Sequence, residues 1–87
     1  MEKYSVTFKK SVAKDLRNIA NSDVKRILEK IETLAENPRA EGTVKLSAQE
    51  RYRVRQGVYR IVYEVRDAEL IIQVVKVAHR SSVYKGT

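Results

Sequence analysis

At 87 residues and with no cysteine, the chain has room for one domain, residues 1–87, and none for disulfides, thiolate nucleophiles or cysteine-rich zinc sites. No apolar run approaches the roughly 18 residues of a membrane span and no signal-peptide core opens the sequence, so a cytoplasmic protein without a membrane partner is expected. The net charge of +7 is uneven: residues 1–44 carry nine Lys/Arg against seven Asp/Glu, residues 45–87 nine against four. Basicity gathered in one half points to an acidic partner, nucleic acid first and an acidic protein second.

In chain order, Tyr4, Val6 and Phe8 alternate with Ser5 and Thr7, which predicts a short strand. From Lys10 to Ala20 the period changes, and Val12, Leu16 and Ile19 take the spacing of a helical stripe. Asn21 or Ser22 is placed to cap a second helix, with Asp23 in its first turn where the helix dipole favours an acid. Val24, Ile27, Leu28, Ile31, Leu34 and Ala35 make its apolar face, and Asn37-Pro38 ends it. Arg39 to Gly42 reads as a polar connection, Thr43 to Leu46 as a brief extended piece, and Ser47 to Glu50 as a loop.

Arg51 to Val65 is the most regular stretch. Tyr52 and Val54 alternate with Arg51, Arg53 and Arg55; beyond Gln56-Gly57, Tyr59, Ile61, Tyr63 and Val65 alternate with Val58, Arg60, Val62 and Glu64. Two period-two runs around a glycine predict a β-hairpin, Gly57 supplying the positive φ of a tight turn. A second turn, Arg66 to Glu69, leads to Leu70–Val77, apolar on both sides and so suited to the sheet interior. The order β-α-α-β-β-β implies the α+β class: a small antiparallel sheet with an N-terminal strand and a two-helix hairpin on one face.

The hairpin's second face carries Arg51, Arg53, Arg55 and Arg60. Its bland reading is a solvated strand whose charge deters aggregation. That role is served by lysine interspersed with glutamate, whereas every cation here is arginine, whose planar fork grips phosphate oxygens bidentately. Phosphate contact is therefore the preferred reading. His79 is either a surface histidine or a proton-transfer group beside Arg80. Tyr4, Tyr59 and Tyr63 fall on inward faces, Tyr52 at their boundary, while Tyr84 sits in a polar tail where a base could stack on it. The three glycines are scattered and one histidine builds no His-rich metal site, so no cofactor or metal is expected.

The segments KLSAQERYRVRQGVYRIVYEV and VVKVAHRSSVYK, with the opening YSVTFKKSVAKDLRNI, resemble the RelE/ParE toxin superfamily of bacterial and archaeal toxin–antitoxin modules. The resemblance spans nearly the whole chain. It implies a toxin that enters the ribosomal A site and cuts the mRNA codon there, the 2′-hydroxyl attacking the adjacent phosphate, and that a cotranscribed RelB-like antitoxin neutralises. The family's active-face residues would correspond to Arg53, Arg55, Arg60, His79, Arg80 and Tyr84. Lysines are common where Arg53 and Arg55 stand; arginine keeps its proton, so the resemblance implies that a histidine or another C-terminal group takes it, with His79 the preferred candidate here. Lys45, Arg51 and Lys85 are expected to contact ribosomal RNA without doing chemistry. The same superfamily contains non-catalytic inhibitors of DNA gyrase, which is the alternative activity; a plain RNA-binding domain is a third.

Overall fold

The computed structural model describes residues 3–46 and 50–80. Strand β1 (Ser5–Phe8) leads into helices α1 (Lys10–Arg17) and α2 (Asn21–Glu36). A two-residue strand β2 (Val44–Lys45) precedes the hairpin β3 (Arg51–Gln56) and β4 (Tyr59–Arg66), and a 3-10 turn at Asp67–Glu69 leads to β5 (Ile71–His79). The order across the sheet is β1-β5-β4-β3-β2. The α+β class is as expected, and β5 lies inside the sheet. Its pairing with β1 is parallel, however, so the sheet is mixed rather than wholly antiparallel. A parallel pair needs a long crossover, and everything between β1 and β5 supplies it.

Both helices bury one stripe against one sheet face. Val12, Ile27, Ile31 and Leu34 meet Tyr52, Val54, Ile61, Tyr63, Val65, Ile72, Val74 and Val77 in a single cluster. Each fully buried aliphatic side chain there contributes roughly 1.5–3 kcal/mol of transfer free energy. Tyr63 is wholly buried and donates its hydroxyl to the Pro38 carbonyl at 2.6 Å, so the proline that stops α2 also satisfies this buried phenol. No helix among the described residues is long and apolar enough to cross a membrane.

Three local expectations are corrected. Helix α1 stops at Arg17, and the Ile19 N–H closes on the Leu16 carbonyl at 3.1 Å, while Ile19 still packs on the core. Helix α2 has no side-chain cap: the Ala20 carbonyl accepts from Asp23 and Val24, which draws Asn21 and Ser22 inside the first turn. Leu28 is 40% exposed, on the margin of its stripe.

The β4–β5 ladder carries a β-bulge. Val62 pairs with Lys76 but Tyr63 with Val74, leaving Val75 as the extra residue. Burial on β5 accordingly changes phase, from Ile72 and Val74 to Val77. The Val77 N–H, beyond the last β1 pair at Phe8↔Val74, donates to Asp15 Oδ2 of α1 at 3.2 Å, and Lys76 meets Asp15 Oδ1 at 3.3 Å. One carboxylate thus docks α1 on the part of the β5 edge that β1 leaves uncovered.

Candidate nucleic-acid interface

The hairpin closes through Gly57 and Val58 between the pair Gln56↔Tyr59. Gly57 has φ +60° while Val58 is not positive, the pattern of a type II′ turn, whose twist matches that of the flanking strands. This short loop fixes register, and register fixes which side chains share a face. Tyr52 and Val54 enter the core opposite Tyr63 and Ile61; Arg51, Arg53 and Arg55 take the other face opposite Glu64, Val62 and Arg60. Directly opposed positions on antiparallel strands place Cβ atoms roughly 4.5–5.5 Å apart, and like charges there disfavour the ladder. Arg60 faces Ala78 on its other side, so the surface beside it is low.

The cations of this half differ in their surroundings. Arg51 reaches Glu64 at 2.5 Å, Lys45 reaches Glu50 at 3.0 Å, and Arg66 lies 4.0 Å from Glu64. Glu50 raises the Lys45 ammonium above its ordinary value. Among the described residues, no carboxylate comes within ion-pair distance of Arg53 or Arg55, which are half-buried and exposed respectively. Such a face can hold phosphate oxygens and stabilise charge that develops on them. Its arginines cannot accept a proton, because guanidinium does not lose its own in proteins.

His79 is displaced from this face. It pairs with Tyr59, whose ring it meets edge-on at 5.5 Å between centroids, so it belongs with the core-side residues of the ladder. It is exposed at the very end of β5. Arg80 follows, and its N–H donates to the Val58 carbonyl at 2.6 Å, fastening the strand end to the hairpin turn. The structure therefore gathers Arg53, Arg55 and Arg60 on one face, with Arg80 and His79 at the same end of the sheet. Tyr84 and Lys85 lie outside the described residues.

A residue that sequence reading passed over organises the opposite end. Arg39, in the supposed polar connection, donates to the Tyr52 hydroxyl (2.8 Å), to both Asp67 oxygens (3.0 and 2.7 Å) and to Glu50, and its guanidinium lies 5.3 Å from the Tyr52 ring centre. The Tyr4 hydroxyl donates to Asp67 as well, at 2.6 Å. With Arg39 beside them, Glu50 and Asp67 are held down to about 2, and the Asp67 bond raises the Tyr4 hydroxyl. No local pattern announces this cluster, because the direct partners of the Arg39 guanidinium are 11 to 28 residues from it in sequence and Tyr4 is farther still.

Comparison with known proteins places the chain in a family. Residues 6–84 match the model of a family described as the ParE toxin of the type II toxin–antitoxin system parDE. A Methanocaldococcus jannaschii protein named for a RelE toxin, RelE1, is 36% identical over 88 residues, covering 97% of this chain and 98% of its own. The archaeal RelE–RelB complex of Pyrococcus horikoshii contains a chain that superposes with TM-score 0.79 at 25% identity, over 93% of this chain and 99% of that one. The Mycobacterium tuberculosis complex RelBE2 contains a chain of the same fold, with TM-score 0.82 at 22% identity, over 94% of this chain and 97% of that one.

Proposed function

Because this chain belongs to the RelE/ParE family of type II toxin–antitoxin toxins, we propose that it acts as a ribosome-dependent mRNA endonuclease of RelE type. The observation that carries this reading is the arginine face: Arg53 and Arg55 without a carboxylate among the described residues, and Arg60 directly across from Arg55. In the reaction the 2′-hydroxyl of an A-site nucleotide loses its proton and attacks the adjacent phosphorus. The P–O5′ bond breaks, and the departing 5′-oxygen gains a proton. Charge accumulates on the non-bridging oxygens, and Arg53, Arg55 and Arg60 stabilise it, which is usually the largest single contribution to catalysis.

Arg80 adds a cation where the backbone passes the turn. His79, at the strand end, serves a substrate that bends round that end, and there it transfers the proton; Tyr84 orients a base. Lys85 anchors ribosomal RNA, whereas Lys45 and Arg51 contact it only weakly, because phosphate must first displace Glu50 and Glu64 from them. The ribosome positions the codon, so cleavage of free RNA is weak.

The partner is a cognate antitoxin of RelB type. It finds apolar surface in the groove of about 470 Å³ between β1 and α2, where Phe8 and Leu28 are each about two-fifths exposed. The ParE description of the matching family favours a second reading, inhibition of DNA gyrase by a protein that cuts nothing. One experiment separates the two. Purified toxin is added to ribosomes stalled on a defined message, and toeprints are read beside a gyrase supercoiling assay. New ends within the A-site codon with supercoiling intact support the nuclease; uncut message with supercoiling blocked overturns it.

A further inference from the structure

Helix α1 bears a cationic stripe that neither the fold nor the arginine face uses. Lys10, Lys14 and Arg17 follow the i, i+4, i+7 spacing and are all exposed. At 1.5 Å rise per residue they span about 10.5 Å along one side of the helix. Among the described residues, none of the three makes an ion pair. The single acid of the helix, Asp15, is turned away to hold the Val77 N–H and Lys76. That contact sets α1 against the edge of β5 three residues before Arg80, about 10 Å along the strand. Arg80 thus follows three residues beyond the point where α1 meets β5, and cations stand both at that strand end and on α1.

Lys45 and Arg51, the cations first expected to anchor ribosomal RNA, are by contrast already engaged by Glu50 and Glu64. We propose that Lys10, Lys14 and Arg17 form a second phosphate-contacting surface that docks the protein on the backbone of ribosomal RNA; this rests on the ribosome-directed reading above. The stripe suits a polyanion better than a protein. Its exposed neighbours are Ser11, Ala13 and Asn18, which offer no apolar centre of the kind protein interfaces need. Phosphate contact needs charge alone and tolerates any sequence.

The test compares ribosome binding of the full chain across a salt series. One variant carries Lys10→Gln, Lys14→Gln and Arg17→Gln; the other carries Lys25→Gln, Arg26→Gln and Lys30→Gln on α2, losing the same charge where Glu29 and Glu32 are interspersed. Glutamine is a good helix former, so both should fold, as circular dichroism would verify. The α1 variant should bind ribosomes about tenfold or more weakly near 0.1 M salt, with the slope of log affinity against log salt reduced by about 2 to 3. The α2 variant should change by less than about twofold. Equal loss in both variants, or normal binding by the α1 variant, overturns the surface. So does weakened antitoxin binding with ribosome affinity intact, which would make the stripe a protein contact. Wild-type protein that fails to bind ribosomes overturns the ribosome reading itself.

Discussion

At the end of the sheet where β3 begins and β4 finishes, Arg39, Lys45, Arg51 and Arg66 all lie within reach of Glu50, Glu64 or Asp67. At the end closed by the hairpin turn, Arg53 and Arg55 meet no carboxylate among the described residues, and Arg80 follows the strand without one. Every acid between residues 45 and 87, namely Glu50, Glu64, Asp67 and Glu69, falls at or beyond the first end. The same sheet thus spends charge on itself at one end and presents it outward at the other. On the proposed reading, stability and function are divided along the strands, and each can be disturbed without the other.

The largest expected effect tests the outward end. Arg55→Ala should lower A-site cleavage by about 100-fold or more, the scale seen when one donor to a transition-state oxyanion is removed. Its melting temperature should stay put or rise, because a like-charged cross-strand pair is relieved. A large loss of stability would show that Arg55 serves the fold. Next, Arg53→Lys should retain much of the growth arrest that Arg53→Glu abolishes, since lysine keeps the charge and loses only the bidentate fork; equal loss in both would mean that geometry outranks charge.

The clasp end should respond in the opposite sense. Arg39→Ala should lower the melting temperature by several degrees while the folded fraction still cleaves, because Arg39 ties the segment after α2 to β3 and the 3-10 turn. A smaller effect is its acid limb. Glu50 and Asp67, ordinarily at 4.5 and 3.8, sit at about 2 in the folded protein. A carboxyl lowered on folding contributes fully above its unfolded value and loses that contribution as pH falls toward the folded one. Wild-type stability should therefore decline between about pH 4.5 and pH 2, and Arg39→Ala should flatten that decline. An unchanged acid limb would mean that these carboxylates are not held by Arg39.

What the sequence disclosed follows from the range of each interaction. The hairpin, the apolar face of α2 and the arginine face were legible because alternation and helical period act over a few residues. The parallel pairing of β1 was not, since Ser5 meets Ile71 and nothing near either signals the other. Arg39 looked like loop polarity because its partners arrive from two distant segments, Glu50–Tyr52 and the 3-10 turn at Asp67. His79 shows the sharpest limit. Strict alternation along β5 would place it with Gln73, on the face of Glu64 and Arg60; the bulge at Val75 shifts the phase and sets it beside Tyr59. A one-residue irregularity that no composition announces thereby decides which side of the sheet the histidine occupies.

The contrast between the two ends is tested most directly by removing two cations from each and measuring ribosome affinity against salt. Arg53→Gln with Arg55→Gln should weaken binding and lower the salt slope by about 1 to 2, one increment per lost phosphate contact. Lys45→Gln with Arg51→Gln, an equal loss of charge from the paired end, should shift it far less. Equal shifts in the two proteins would mean that net charge alone governs binding, and would contradict the division of labour along the sheet.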